Sequence, residues 1–290
     1  MWTLEEEQAL REDLIEKIIA KANEGDGMLS RAELANFPYA GQSVRVIDPQ
    51  GGIWNPGTSW TLGEELRATL SINTTRSGKY DDQEVSGGLW RYDYQSGGTA
   101  GKNTKMRKAM ELQLPLIWFV QQDSGRYVPY RVFIIDDFPQ EGYCLIAPDL
   151  SLATASRSES LIERRYAERM MKQRLHQPAF RARVITAYQT KCAICRLAHG
   201  RLLDAAHITP DSDETSSTSV SNGLSLCKIH HTAYDINILG IDGDYTVHVR
   251  QDILHETDGP MLEHGIKEMD KTKLWIPLAP EAKPDPAARG

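Results

Sequence analysis

The segment from Cys192 to Asp235 opens with Cys192-Ala-Ile-Cys195 and closes with Cys227-Lys-Ile-His230-His231-Thr-Ala-Tyr-Asp235. A Cys-x-x-Cys sets two thiolates on one tight turn, and the Cys-x-x-His downstream adds a thiolate and an imidazole at the same spacing. Two such pairs suit tetrahedral Zn²⁺ and leave no open coordination position, so Cys192, Cys195, Cys227 and His230 are predicted to hold a structural zinc. Disulfides would need a secretory context and better-spread cysteines. The fourth cysteine, Cys144, lies in an apolar stretch and reads as a buried bystander.

Between the pairs run Leu202-Leu-Asp-Ala-Ala-His207-Ile-Thr-Pro210 and Asn222-Gly-Leu-Ser-Leu-Cys227, and His231 follows Asn222 by nine residues. This pattern resembles the HNH nuclease module, the ββα-metal fold. The resemblance implies that His207, at the end of the first strand, is the general base. It also implies that Asn222 holds the loop between strand and helix, and that His231 on the helix binds the catalytic metal. Many members carry an Asp or His just before the base; here that position is Ala206. Asp235 is the first candidate to supply the missing oxygen, and Asp204 the second.

The chemistry stands beside the resemblance. Phosphodiester hydrolysis needs a base to activate water and a cation to stabilise the developing charge and the leaving 3′-oxygen. A neutral imidazole suits the base at neutral pH. His231 and Asp235 are four apart, so on a helix they share a face and can share one cation. An imidazole with a carboxylate fits Mg²⁺ or Mn²⁺. His199, His248, His255 and His264 have no partner at a useful spacing and read as surface or packing residues.

Length and charge frame the rest of the chain. At 290 residues it is long enough for two domains. Apolar residues make up 40% and charged residues 25%, which excludes a disordered class. No run reaches the roughly 18 apolar residues of a membrane span. Glu5, Glu6 and Glu7 stand where a secretory signal would be basic, so a soluble, cytoplasmic protein is expected. The net charge of −7 hides an uneven distribution. Residues 157–201 hold eleven Lys/Arg against three Glu, and a phosphate backbone is the natural partner of Arg164, Arg165, Arg169 and Lys172.

Along the chain, Thr3-Leu-Glu-Glu6 and Ser30-Arg-Ala-Glu33 are capping-box patterns that start two helices, the first stopped at Gly25-Asp-Gly27. From 44 to about 148 short β-rich runs alternate with turns: Val44–Ile47, Ala68–Ile72, Leu89–Tyr94, Leu116–Val120, Tyr130–Ile135 and Tyr143–Ile146. A helix interrupts them near Thr104–Leu112. A basic helix from Ser158 is predicted to end at Pro178, with a second short helix over Ala179–Tyr188. Ile238–Ile241 and Tyr245–Val249 predict a hairpin around Asp242-Gly-Asp244.

Within the β-rich part, Ser77-Gly-Lys-Tyr80-Asp-Asp82, Gly87-Gly-Leu-Trp-Arg-Tyr92-Asp-Tyr94, Gly97-Gly98 and Asn103 are similar to the SRA (SET- and RING-associated) domain. Leu114-Pro-Leu and Tyr127-Val-Pro-Tyr130-Arg-Val132 also fit. That resemblance implies a modified cytosine flipped out of the duplex, sandwiched between aromatic rings and read by a carboxylate. Tyr80 and Tyr92 are the ring candidates; Asp82 is the first choice of acceptor and Asp81 the second. Flipping costs a few kcal/mol, which stacking of about 1–3 kcal/mol per base helps to offset.

The two resemblances together cover residues 44 to about 255 and identify the chain with the SRA–HNH modification-dependent, type IV-like restriction endonucleases of the TagI type. The expected fold class is α+β: a mostly-β SRA-like barrel or sandwich joined by a basic helix to a zinc-stabilised ββα-metal (HNH) domain. The expected division is a helical segment over 1–43, the SRA-like domain over 44–150, a linker helix over 151–178 and the nuclease over 179–290. Double-stranded DNA bearing 5-methylcytosine or a related base is the expected partner. A homodimer is expected as well, since an HNH module usually cuts one strand. The alternatives are an HNH nicking or homing-like nuclease indifferent to base modification, and a catalytically inactive, zinc-stabilised DNA reader.

Overall fold

Both capping boxes form. Thr3 and Glu6 bond reciprocally, the Thr3 amide to the Glu6 carboxylate at 2.7 Å and the Glu6 amide to the Thr3 hydroxyl at 3.1 Å, and α1 (Leu4–Glu24) follows. After β1 (Leu29–Ser30), Ser30 and Glu33 close the second box and start α2 (Arg31–Ala35). The structure is a computed structural model that describes residues 2–57, 60, 62, 65–75, 83–85, 89–94, 101–155, 160–210 and 216–285. The chain divides into two compact units. One comprises Met1–Ala22 and Met28–Pro178, the other Asn23–Gly27 and Ala179–Gly290.

The first unit is built on β-structure. A small ribbon pairs β2 (Phe37–Tyr39) with β3 (Gln42–Val44). The large sheet holds β4 (Ile53–Trp54), β5 (Ser71–Thr74), β6 (Gln83–Val85) and β7 (Leu89–Asp93). After the helix α3 (Lys102–Glu111) come its longest strands, β8 (Leu116–Asp123) and β9 (Arg126–Phe138), then β10 (Tyr143–Ala147). Among the described residues the order is β4-β5-β8-β9-β10-β7-β6, with β1 also on β9. Among the described residues only β5 and β8 pair in parallel, and α3 lies in the connection between β7 and β8. The α3 interruption and five of the six expected strands are found near their predicted places, one of them beginning at Ser71 rather than Ala68. The run Val44–Ile47 is not a strand: strand structure there ends at Val44.

The N-terminal helix is part of this core rather than an appendage to it. Leu14, Ile15 and Ile18 of α1 cluster with Leu34, Val44, Ile117 and Phe119. Beneath them Arg11 and Glu7 are both fully buried and paired at 2.8 Å. The Arg11 guanidinium also donates to the carbonyls of Ala68 (2.7 Å), Thr69 (2.7 Å) and Pro115 (3.0 Å). These carbonyls lie just before β5 and β8, so one cation ties α1 to the parallel pair.

Helix α4 (Leu150–Ala155) precedes α5 (Leu161–Ala187), which corrects the prediction of a break: α5 runs straight through Pro178. A proline inside a helix costs about 3 kcal/mol, because it removes one backbone bond and crowds the preceding turn. Packing on both sides of it offsets this. Met171 is buried against Leu89 and Ala147, and Phe180, Val184 and Ile185 belong to the core of the second unit. No helix among the described residues is long and apolar enough to cross a membrane.

The second unit has a hairpin, β11 (Leu203–His207) with β12 (Gly223–Cys227), then α6 (Lys228–Asp235). The predicted second hairpin follows as β13 (Leu239–Ile241) and β14 (Val247–Val249), then the short helices α7 (Gln251–His255) and α8 (Pro260–Gly265).

Replacing Arg11 with Met would leave the Glu7 carboxylate buried without its partner and three carbonyls without their donor. A loss of about 3–5 kcal/mol is expected, read as a lower urea midpoint for unfolding of the first unit. An unchanged midpoint contradicts the role given to the pair.

Candidate active site and metal centre

Cys192, Cys195, Cys227 and His230 converge, with all four ligand atoms within 4.8 Å of one another. Among the described residues no other group of three or more His, Cys, Asp or Glu side chains does so. The first pair sits on a turn closed by the Arg196 amide on the Cys192 carbonyl and the Cys192 amide on the Leu197 carbonyl, each at 3.0 Å. Cys227 is the N-cap of α6, so His230 falls in the first helical turn and points back to the same place. The sulfurs of Cys195 and Cys227 are 4.0 Å apart, and Nδ1 of His230 is 3.2 Å from Cys227 Sγ and 3.5 Å from Cys192 Sγ. Tetrahedral bonds of about 2.3 Å to sulfur imply sulfur separations of about 3.8 Å, so this donor set fits zinc.

The surroundings agree with that donor set. Nε2 of His230 donates to the Gly265 carbonyl at 2.8 Å, which turns Nδ1 toward the sulfurs. Hydrogen bonds from Cys195 and then Cys227 pull the Cys192 thiol far down, and the same contacts push Cys195 up. Burial works against a charged His230, but its bonds to the Cys192 and Cys227 sulfurs raise it to about 10. Crowded thiols sharing protons in this way are what a divalent cation would displace.

The hairpin register carries the next group. β11 pairs with β12 from Leu203↔Cys227 to His207↔Gly223, so His207 ends its strand opposite a glycine. The His207 ring stacks on Phe180 of α5, with centroids 4.1 Å apart and planes at 11°. Gly223 makes room for this. A Cβ there would meet Val184 at 2.4 Å and Phe180 at 2.9 Å. Asn222 is buried and bonds on both sides of the loop that follows β11. Its Oδ1 accepts from the Thr209 amide at 2.8 Å, and its Nδ2 donates to the Ser217 carbonyl at 2.8 Å and to the Thr209 carbonyl at 3.2 Å. The loop ends at 209 and 217 are thereby pinned to one side chain.

His231 stands one residue beyond His230, about 100° further round the helix, and faces two carboxylates. Its Nδ1 is 3.5 Å from Asp204 and its Nε2 is 3.4 Å from Asp235. Both carboxylates raised by the sequence are therefore at hand, one on each ring nitrogen. Lys228 also pairs with Asp204. The contact with His231, opposed by burial and helped by Lys228, holds the Asp204 carboxyl down at about 2, so it stays ionised across the working range.

Tyr92 is buried in β7, and its hydroxyl donates to the Gly52 carbonyl at 2.9 Å. Tyr80, Asp81 and Asp82 lie outside the described residues. Arg164, Arg165, Arg169 and Lys172 are all exposed on α5, and Lys172 is 3.2 Å from Glu84. His199 and His255 are exposed, while His248 pairs with Asp242 and His264 with Glu268. Sequence reasoning missed Phe180, Gly223 and Lys228. Phe180 lies 27 positions before His207, and no spacing rule connects the two.

Comparison with known proteins agrees on the class of this module. Residues 192–242 match the family model described as HNH endonuclease, so the hairpin, helix and metal cluster form an HNH endonuclease module. No curated protein matches the chain. Among solved structures, the chain is similar to a modification-dependent TagI restriction endonuclease at 15% identity, over 91% of this chain and 90% of that one, with a TM-score of 0.31. It is also similar to the SUVH5 SRA domain in complex with hemimethylated CG DNA (12% identity, 42% of this chain and 84% of that one, TM-score 0.28). A third likeness is to the type IV phosphorothioation-dependent restriction endonuclease ScoMcrA (12%, 64% and 48%, 0.26). The nuclease assignment rests on the match over residues 192–242 and on the geometry of the site, not on these three likenesses.

Removing the zinc should unfold the second unit, since binding at such a cluster is folding free energy. A strong chelator is expected to abolish the thermal transition of that unit while the first keeps its own. A melting curve unmoved by chelator contradicts a structural metal.

Proposed function

We propose that the protein is a modification-dependent DNA endonuclease acting in the cytoplasm. It reads 5-methylcytosine or a related base through residues 44–150 and hydrolyses phosphodiester bonds at the HNH module. The observation that carries the nuclease part is His231 held between Asp204 and Asp235 beside a strand that ends in His207. In this reading His207 takes a proton from the attacking water at an imidazole nitrogen. Phe180 against its face fixes the plane of the ring, and Asn222 fixes the loop beyond it. A general base in this position is worth roughly 10²–10⁴ in rate.

His231 with Asp204 or Asp235 would hold Mg²⁺ or Mn²⁺, which supplies Lewis-acid stabilisation of the scissile phosphate and the leaving oxygen. Both nitrogens of His231 lie near carboxylates, so a cation bound through one nitrogen would leave the other facing its carboxylate. That second carboxylate then orients the ring. The exposed Arg164, Arg165, Arg169 and Lys172 would lie along DNA phosphates, each adding salt dependence. Two copies acting together would make a double-strand break.

Base recognition rests on the likeness of the sequence at 77–103 to SRA domains, with Tyr80, Asp82 or Asp81, and Tyr92 as candidate contacts. The packing of Tyr92 in the core shifts the weight of this reading onto residues 80–82. Digestion of one plasmid, with and without 5-methylcytosine, by wild type and by His207→Ala tests both parts. Cutting of the methylated plasmid only, lost in the variant, is the expected result. Equal cutting of both plasmids removes the base-reading part and leaves a nuclease indifferent to modification. Undiminished cutting by His207→Ala removes the assigned base.

A further inference from the structure

The turn at Asn23–Gly27 follows α1 in the chain but groups with the second unit. Its contacts there are specific. A Cβ on Gly200 would lie 2.3 Å from the Gly25 carbonyl oxygen and 2.5 Å from that of Glu24, so backbone meets backbone at a distance only glycine permits. Gly27 itself has φ +94, and a Cβ there would lie 3.3 Å from the Arg181 guanidinium. The Asp26 carboxylate is buried and accepts from the Thr186 hydroxyl at 2.8 Å. Glu24 pairs with Arg201.

These contacts meet at Arg181. Its Nη2 donates to the carbonyls of Gly200 (2.8 Å) and Leu203 (3.0 Å), and its Nη1 to Asn23 Oδ1 at 3.4 Å. Burial disfavours the charged guanidinium, and the carboxylates of Asp204 and Asp26 offset that only in part. Leu203 is the first residue of β11 and His207 the last. Among the described residues the sheet has two strands, so β11 has a single hydrogen-bonded neighbour there. Such a ribbon is marginal by itself, and its free edge needs another hold.

We propose that the Asn23–Gly27 turn is a positioning element of the nuclease module, fixing the start of β11 through Arg181, and with it the placement of His207. This rests on the reading of His207 as the base. Asp26, Glu24 and Gly200 are positioning residues: they touch neither DNA nor the reacting atoms. Residues 1–43, for which the sequence suggested no function, thereby contribute to catalysis as well as to the core of the first unit.

The test uses the full chain with Gly200→Ala, which pushes the turn away without altering it, and Asp26→Ala, which removes the buried carboxylate. Two quantities are read: kcat and KM for DNA nicking, and hydrogen exchange of the Ala205–His207 amides. A fall in kcat of about tenfold or more with KM unchanged is expected, since small misplacements of a reacting group are costly. Faster exchange in β11 is expected with it. Asp26→Asn, which keeps an oxygen acceptor for Thr186, should recover most of the loss. Should Gly200→Ala fail to fold, the exposed pair decides. Glu24→Arg should lower kcat, and the exchanged pair Glu24→Arg/Arg201→Glu should restore it; no effect from either overturns the proposal. Unchanged kcat and unchanged β11 exchange in Gly200→Ala and Asp26→Ala overturn it as well. A wild type that does not cut would remove the assignment of His207, while β11 exchange would still decide the turn, so the two failures separate.

Discussion

The nuclease module depends on three cysteine sulfurs and one imidazole brought to a single point. Its hairpin strands have five residues each and its helix eight, too little to stand unsupported in water. The Cys192, Cys195, Cys227 and His230 cluster grips this assembly where strand turns to helix, because Cys227 both ends β12 and caps α6. His230 faces the cluster, and the helical pitch then turns His231 away from it toward Asp204 and Asp235. A cation held by these four side chains would thus orient the residue next to its own ligand. The candidate site would draw its rigidity from there, as a site with loosely held side chains could not.

A second layer of support comes from side chains that carry no charge. Phe180 holds one face of His207, and Gly223 leaves the room for it. Asn222 makes four hydrogen bonds to the ends of one loop. In the first unit a comparable part is played by Arg11, whose guanidinium satisfies three carbonyls and one carboxylate in a place water does not reach. In both units, groups that would be costly if left unpaired are arranged so that the pairing defines a geometry.

What could be read from sequence follows from how local the physics is. The convergence of the four candidate metal ligands was legible because coordination chemistry fixes their spacing, and the capping boxes because a four-residue span determines them. The strands from Leu89 to Ala147 announced themselves by β-branched and aromatic runs, with ends off by a few residues. Pro178 misled, since a proline's local cost is set against packing of Met171 on one side and Phe180 on the other, which no window around residue 178 contains. The same distance hides the stacking of Phe180 on His207 and the docking of the 23–27 turn on Gly200. Of the two carboxylates beside His231, Asp235 followed from helical spacing, whereas Asp204 needed the hairpin to bring it close.

X-ray absorption at the zinc edge of the purified protein tests the foundation most directly. One zinc per chain, with three sulfurs at about 2.3 Å and one nitrogen at about 2.0 Å, is the predicted shell. A protein that holds no zinc, or a shell of oxygen and nitrogen alone, would contradict the account at its base.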